Sequence, residues 1–216
     1  SLMGVCGPAT TQGTPDLTEQ DKQKLYGLKN AATSPVITQP ELDKMESLYA
    51  LIKWRLRDEE YDWNTIDRVL QAMRENPRPL FMSRANRASA AKDRPSFIDH
   101  KQTISQPSLV AKMLCILDIK DTDVVLDVGT GSGWVAAILG SMAKQVYSVE
   151  VIGPLAKDAK KKLGHLHRDN VTVIQTDGTF GLPGFAPYDA IIVGAGAPKI
   201  PLPLKSQLAA NGRMII

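Results

Sequence analysis

Hydrophobic positions along this chain fall into two regimes. From Pro40-Glu41 onward, Leu42, Met45, Leu48, Tyr49, Ile52 and Leu56 recur at intervals of three and four, the spacing of one helical face. Trp63, Ile66, Val69, Leu70 and Met73 repeat the pattern in a second helix, which the two prolines of NPRP stop. The polar stretch MSRANRASAAKDRPS then reads as a loop. From Pro107 the apolar residues bunch into short runs instead. PSLVAKMLCIL predicts a helix with proline at its first position. VVLDV, QVYSVE, VTVIQ, YDAIIV and GRMII predict buried strands, with helices GWVAAILGSMA, GPLAKDAKKKLGHL and PLPLKSQLAA between them. Short strands alternating with helices require parallel pairing through crossover connections. The predicted fold is therefore α/β: a doubly wound, mostly parallel sheet with an N-terminal helical extension.

This divides the chain into a mobile polar arm at 1–39, a helical segment with a loop at 40–106, and an α/β unit at 107–216. The arm is rich in Thr, Pro, Gly, Gln and Ser, with at most a short helix in TEQDKQKLYGLKN. The length of 216 residues suits one main core, and 43% hydrophobic with 23% charged residues is the composition of an ordinary globular chain.

A net charge of +3 and the absence of basic clusters interleaved with aromatics argue against a nucleic-acid partner. The run KDAKKK at 157–162 reads as the solvated face of a helix. Cys6 and Cys115 stand in unrelated contexts, which argues against a disulfide framework and for a reducing, cytoplasmic setting. No apolar run is long enough to span a membrane. Met3-Gly4 with Cys6 close behind has the outline of an acylated N-terminus, but Pro8 stands where such a motif has Ser or Thr.

The chemistry concentrates in VVLDVGTGSGW. In a doubly wound sheet the ligand lies beyond the carboxyl ends of the strands, and here a strand exits into a helix through Gly129, Thr130, Gly131, Ser132 and Gly133. Glycines permit unusual backbone angles and a close approach of ligand to main chain, which points to a nucleoside-bearing small molecule. A dinucleotide site would put its third glycine at position 134, which is Trp134. The pattern D-x-G-x-G-x-G instead resembles motif I of the class I S-adenosylmethionine-dependent methyltransferases, with Asp127 as an electrostatic partner for the cofactor's ammonium. About twenty residues on, Glu150 ends the next strand, where a carboxylate can accept both ribose hydroxyls. Asp177 ends the third, placed to accept from the adenine amino group, with Gly178 letting the ring approach.

QTISQPSLVAKML at 102–114 and APYDAIIVGAGAPKIPLPLKSQLAANGRMII at 186–216, with DVGTGSG, QTDG and DRVLQAMRENPRPLFM, resemble the protein-L-isoaspartate O-methyltransferase family. The resemblance runs from about Leu42 to Ile216. It implies a Rossmann-like fold, S-adenosylmethionine as cofactor with S-adenosylhomocysteine as product, and methylation of the α-carboxylate of isoaspartyl residues in damaged proteins by a monomeric enzyme. A carboxylate is already ionised at neutral pH and needs no general base. The resemblance assigns Ser105 to contact with the substrate carboxylate and Thr103 beside it, with Ile104 and Gln106 as substrate or loop contacts. Ser105-Gln106-Pro107 can also cap the following helix, and the two roles are compatible.

No metal is expected: His165 and His167 read as surface residues, and His100 is a weaker candidate for the site rim. Trp54 and Trp63 read as core or helix-packing residues. The lead-in FIDHKQ, Trp134 and Gly196 depart from the family pattern. The chain also ends at GRMII where family members continue, which implies C-terminal truncation and missing closing strands. These departures leave open an alternative: a cofactor-binding relative that acts as an adaptor, or on a different acceptor.

Overall fold

The proline-stopped helical pair and the run-rich segment build one continuous core. The computed structural model describes residues 37–196 and 199–216. The possible helix in TEQDKQKLYGLKN and the Gly4–Cys6 motif lie outside the described residues. Helix α1 (Gln39–Asp58) begins where the Thr38 backbone N–H donates to the Glu41 carboxylate at 2.7 Å, and α2 (Trp63–Glu75) begins where Asp62 accepts from the Thr65 N–H at 2.9 Å. The polar stretch after NPRP holds a 3₁₀ turn, Arg84–Ser89, and leads into a small hairpin, β1 (Ser96–Phe97) with β2 (Thr103–Ile104).

Helix α3 (Pro107–Leu117) enters the α/β unit. There follow β3 (Val124–Val128), α4 (Trp134–Met142), β4 (Gln145–Glu150), α5 (Gly153–His165), β5 (Val171–Gln175), β6 (Tyr188–Val193), α6 (Leu202–Ser206) and β7 (Leu208–Ile215). The sheet order is β5-β4-β3-β6-β7, and every neighbouring pair is parallel. β3 and β6 are buried along most of their length, which is why their sequences are nearly unbroken apolar runs. One buried cluster joins Ile52 and Met73 of the helical segment, Leu114 of α3, Trp134 and Ile138 of α4, and Val125 and Ala190 of the sheet. Among the described residues no helix is long and apolar enough to cross a membrane.

Two expectations are corrected. PLPLKSQLAA is helical only over Leu202–Ser206. At Gln207 the chain joins the sheet edge: its carbonyl accepts the Tyr188 N–H at 2.9 Å, while its side chain accepts from Leu182 N–H and donates to the Phe180 carbonyl. Leu208 then pairs with Tyr188 of β6, and after an irregularity in register Arg213, Met214 and Ile215 pair with Ala190, Ile191 and Ile192. Trp54 and Trp63 are not core residues: they are 61% and 47% exposed, and the Arg57 guanidinium lies 5.1 and 5.3 Å from their ring centroids. Met45, Tyr49, Ile52 and Leu56 form the buried face of α1 instead.

Candidate active site

Strand order reverses between β3 and β6, and a cavity of about 380 Å³ opens at the carboxyl ends of these strands. The glycine turn forms its floor. Gly129, Gly131 and Gly133 all have left-handed backbone, with φ of 95°, 53° and 87°. They differ in what a side chain would meet. A Cβ on Gly133 would lie 3.1 Å from Ala159 Cβ of α5, so that glycine lets two helices close on each other. A Cβ on Gly131 would meet nothing nearer than 3.9 Å, which leaves its face open to a ligand. The turn is anchored by the Gly129 and Thr130 N–H groups, both donating to the Val149 carbonyl.

The three strand-end acids have distinct environments. Asp127 is fully buried and accepts from Ser148 Oγ at 2.6 Å. Ser148 has one proton to give, so Thr130 Oγ1, 2.5 Å from Ser148 Oγ, donates in turn. Burial pushes the Asp127 carboxyl up to about 6, against the Ser148 hydrogen bond and with help from the Glu150 charge. Glu150 is pinned by main chain: one carboxylate oxygen accepts the Gly131 N–H at 2.8 Å, the other the Ile152 N–H at 2.9 Å. Each oxygen keeps acceptor capacity for a further donor. Asp177 is exposed; its Oδ1 accepts from Thr179 N–H and Thr179 Oγ1, which hold its carboxyl below the usual range. Its Oδ2 has no partner among the described residues. Gly178 packs under the strands: a Cβ there would lie 2.6 Å from Val128 Cγ1 and 3.1 Å from Val149 Cγ2. Its missing side chain thus answers to core packing as well as to any ligand.

The opposite wall comes from the hairpin and the loop after it. Ile98 reaches over the glycine turn, and Gln102, Thr103, Ile104 and Ser105 line the cavity. Ile104 is buried and anchors the loop in the core. Gln106 is the residue before α3 and gives the helix no side-chain cap. The cap comes from elsewhere: Asp93 Oδ1 accepts the Ser108 N–H at 2.9 Å. Ser105 is therefore released from capping, and its hydroxyl makes no hydrogen bond among the described residues. His100 and Lys101, at the hairpin tip, are exposed and left-handed, each with φ 58°.

Of the residues singled out in the sequence, Thr103, Ile104, Ser105, Asp127, Gly129, Thr130, Gly131, Ser132, Glu150, Asp177 and Gly178 share this cavity, whereas Gln106 and Gly133 stand outside its wall. Ser132 Oγ accepts the Trp134 N–H at 3.3 Å at the start of α4. Sequence reasoning missed Gly194 and Ala195, which follow β6 and close on Gly129, and Val151 and Ile152 after β4. The strand-end rule that singled out Glu150 applies equally to both positions. His165 and His167 are exposed, and no cluster of metal-ligating side chains exists among the described residues.

The sequence profile of the protein-L-isoaspartate(D-aspartate) O-methyltransferase family matches residues 50–216. Protein-L-isoaspartate O-methyltransferase 2 of Pelobacter propionicus is 49% identical over 148 residues, 68% of this chain and 66% of that protein. The Protochlamydia amoebophila enzyme is 50% identical over 149 residues, 69% of this chain and 71% of that one. The matched stretch thus spans about two thirds of the Pelobacter relative's length. Among solved structures, a candidate protein-L-isoaspartate O-methyltransferase from Plasmodium falciparum, in complex with S-adenosyl-L-homocysteine, aligns with TM-score 0.66 at 26% identity. That alignment covers 80% of this chain and 83% of the Plasmodium chain. By its sequence and by the arrangement of its strands, the chain belongs to the protein-L-isoaspartate(D-aspartate) O-methyltransferase family.

Proposed function

We propose that this protein transfers a methyl group from S-adenosylmethionine to the α-carboxylate of L-isoaspartyl residues in damaged proteins, a repair activity. One observation carries it: Ser105, whose hydroxyl makes no hydrogen bond among the described residues, lines the same cavity as the glycine turn and the strand-end acids.

The residues present suit the cofactor. Glu150, fixed by two backbone N–H groups, offers a free lone pair on each oxygen to a ribose diol. Asp177, kept ionised, offers Oδ2 to an amino group, and Asp127 offers buried negative charge to an ammonium. Gly131, Thr130 and Ser132 give the ligand close access to main chain, while Gly129, Gly133 and Gly178 hold the turn and the strand ends in shape. The cavity's size lies in the range of small-molecule sites, roughly 300–1,000 Å³. When bound, S-adenosylmethionine supplies an electrophilic methyl group on a sulfonium.

The acceptor side falls to the loop. Ser105 donates a hydrogen bond to the substrate carboxylate, Thr103 flanks it, and Ile104 and Gln106 fix the loop's ends. No His, Cys, Lys or Tyr lines the cavity among the described residues, which suits an acceptor that arrives already deprotonated. Rate then comes from orientation, by holding a carboxylate oxygen in line with the bond to be broken. In this division of labour residues 107–216 carry the cofactor and residues 40–106 the acceptor, within a single chain. A reducing, cytoplasmic setting is supported by Cys115, buried and unpaired among the described residues.

The test is transfer of labelled methyl to a short isoaspartyl peptide beside its aspartyl counterpart. Selective labelling of the isoaspartyl form is expected; equal labelling of both, or of neither, would overturn the proposal.

A further inference from the structure

The cavity wall holds three carboxylic acids and no basic side chain among the described residues, yet the proposed acceptor is itself an anion. A cation does stand directly behind the loop that carries Ser105. Arg78, between Pro77 and Pro79, has no exposed surface. Burial pushes its guanidinium down to about 10, so it remains charged at neutral pH. No carboxylate among the described residues hydrogen-bonds to it: the Asp93 carboxylate acts on it only at longer range and is itself paired with Arg55. Its hydrogen bonds go to main-chain carbonyls on two separate segments.

On one side Nη1 donates to Ala90 at 2.9 Å, with longer contacts to Ser89 and Lys92, and Nη2 donates to Arg94 at 2.9 Å. On the other, Nη2 donates to the Ser105 carbonyl at 3.0 Å and lies 3.4 Å from that of Ile104. The ring of Trp134, which also lines the cavity, lies 5.5 Å from the guanidinium carbon. Burying a cation without a directly bonded counter-ion is costly, and a space-filling apolar side chain would avoid that cost. A fork of carbonyl dipoles occupies Nη1 and Nη2, while Nε makes no hydrogen bond among the described residues and the charge has no directly bonded counter-ion. The Ser105–Gln106 peptide is trans, so turning its carbonyl toward Arg78 turns the Gln106 N–H away, and that N–H has no acceptor among the described residues.

We propose that Arg78 is the positioning residue of the acceptor site: its grip on the Ser105 and Ile104 carbonyls sets the Thr103–Gln106 loop, and its charge behind that loop, to which no carboxylate is bonded, draws a carboxylate to Ser105. This rests on the carboxyl-methyltransferase reading. It makes the preference for an anionic acceptor depend on a residue that never touches the acceptor.

The experiment compares the wild type with Arg78→Lys and Arg78→Met. Each is titrated, in the presence of S-adenosylhomocysteine, with an isoaspartyl peptide and with its α-carboxamide analogue, and cofactor affinity is measured separately. The wild type should bind the carboxylate at least about tenfold more tightly than the carboxamide. Arg78→Met should reduce that ratio to below about twofold while cofactor affinity changes by less than about threefold. Arg78→Lys should keep the ratio and weaken both peptides together, because an ammonium keeps the charge without the planar fork.

A wild type indifferent to the carboxylate would overturn the proposal. So would an Arg78→Met protein with an unchanged ratio, or an Arg78→Lys protein that binds both peptides as the wild type does. If Arg78→Met fails to fold, the wild-type ratio and the Arg78→Lys titrations still decide. Methyl transfer is scored independently: discrimination without transfer would sink the proposed activity and leave Arg78's role standing.

Discussion

The Glu150 carboxylate accepts the Gly131 N–H at 2.8 Å, so the acid ending β4 is aimed by the glycine turn that ends β3. The cofactor edge is therefore one unit. Glu150→Gln puts an NH₂ group against one of two fixed N–H donors, Gly131 or Ile152. It should weaken S-adenosylhomocysteine binding roughly 10–100-fold, read by calorimetry, because charged hydrogen bonds are lost and a donor faces a donor.

Asp127 gives the site a pH signature. Its carboxyl stands at about 6 in the folded protein, against 3.8 ordinarily. A raised carboxyl favours the protonated native state, so its contribution is full below about pH 3.8 and is lost as pH rises through about 6. The buried charge then costs about 3 kcal/mol in the cofactor-free protein. Asp127→Asn should remove this decline, so the variant should gain stability over the wild type between about pH 4 and pH 6 in thermal melts. Parallel pH profiles for the two proteins would count against the assignment.

Gly178 should tolerate no side chain while Val128 is present. Gly178→Ala is expected to cost about 1–3 kcal/mol through the 2.6 Å approach to Val128 Cγ1. In the double variant with Val128→Ala, the combined loss should fall short of the sum of the two single losses by about 1 kcal/mol or more. Strict additivity in denaturant melts would mean the clash is relieved by movement elsewhere.

Ser105→Ala should separate acceptor from cofactor. Loss of the hydroxyl should lower kcat/KM for isoaspartyl peptide roughly 10–100-fold, as removal of a hydrogen bond to a charged group does. S-adenosylhomocysteine affinity should stay within about twofold, since that hydroxyl contacts no cofactor-side residue. Equal damage to both would assign Ser105 to the cofactor instead.

The sheet was legible because buried parallel strands write themselves as short apolar runs. VVLDV, QVYSVE, VTVIQ and YDAIIV match β3, β4, β5 and β6 residue for residue. PLPLKSQLAA was not legible because its last strand opens where Leu208 pairs with Tyr188 of β6, a contact that local periodicity cannot carry. Trp54 and Trp63 fit the core half of their core-or-helix-packing reading poorly for a related reason: large apolar rings at helical spacing resemble core, but Arg57 can cover them at the surface, and Trp63 of α2 meets Lys53 and Arg57 of α1 there. In the site, the strand-end acids and glycines stood out by position. Arg78 did not, because its partners are carbonyls, which every residue possesses, and nothing in the sequence distinguishes the ones it holds.

The distribution of the three tryptophans has a practical consequence. Trp54 and Trp63 lie in water, whereas Trp134 is buried, lines the cavity and donates from Nε1 to the Asn76 carbonyl at 2.8 Å. A collisional quencher such as iodide would silence the first two and spare the third. The emission that survives is an optical probe of the cavity already built into the chain, able to follow ligand entry with no label attached.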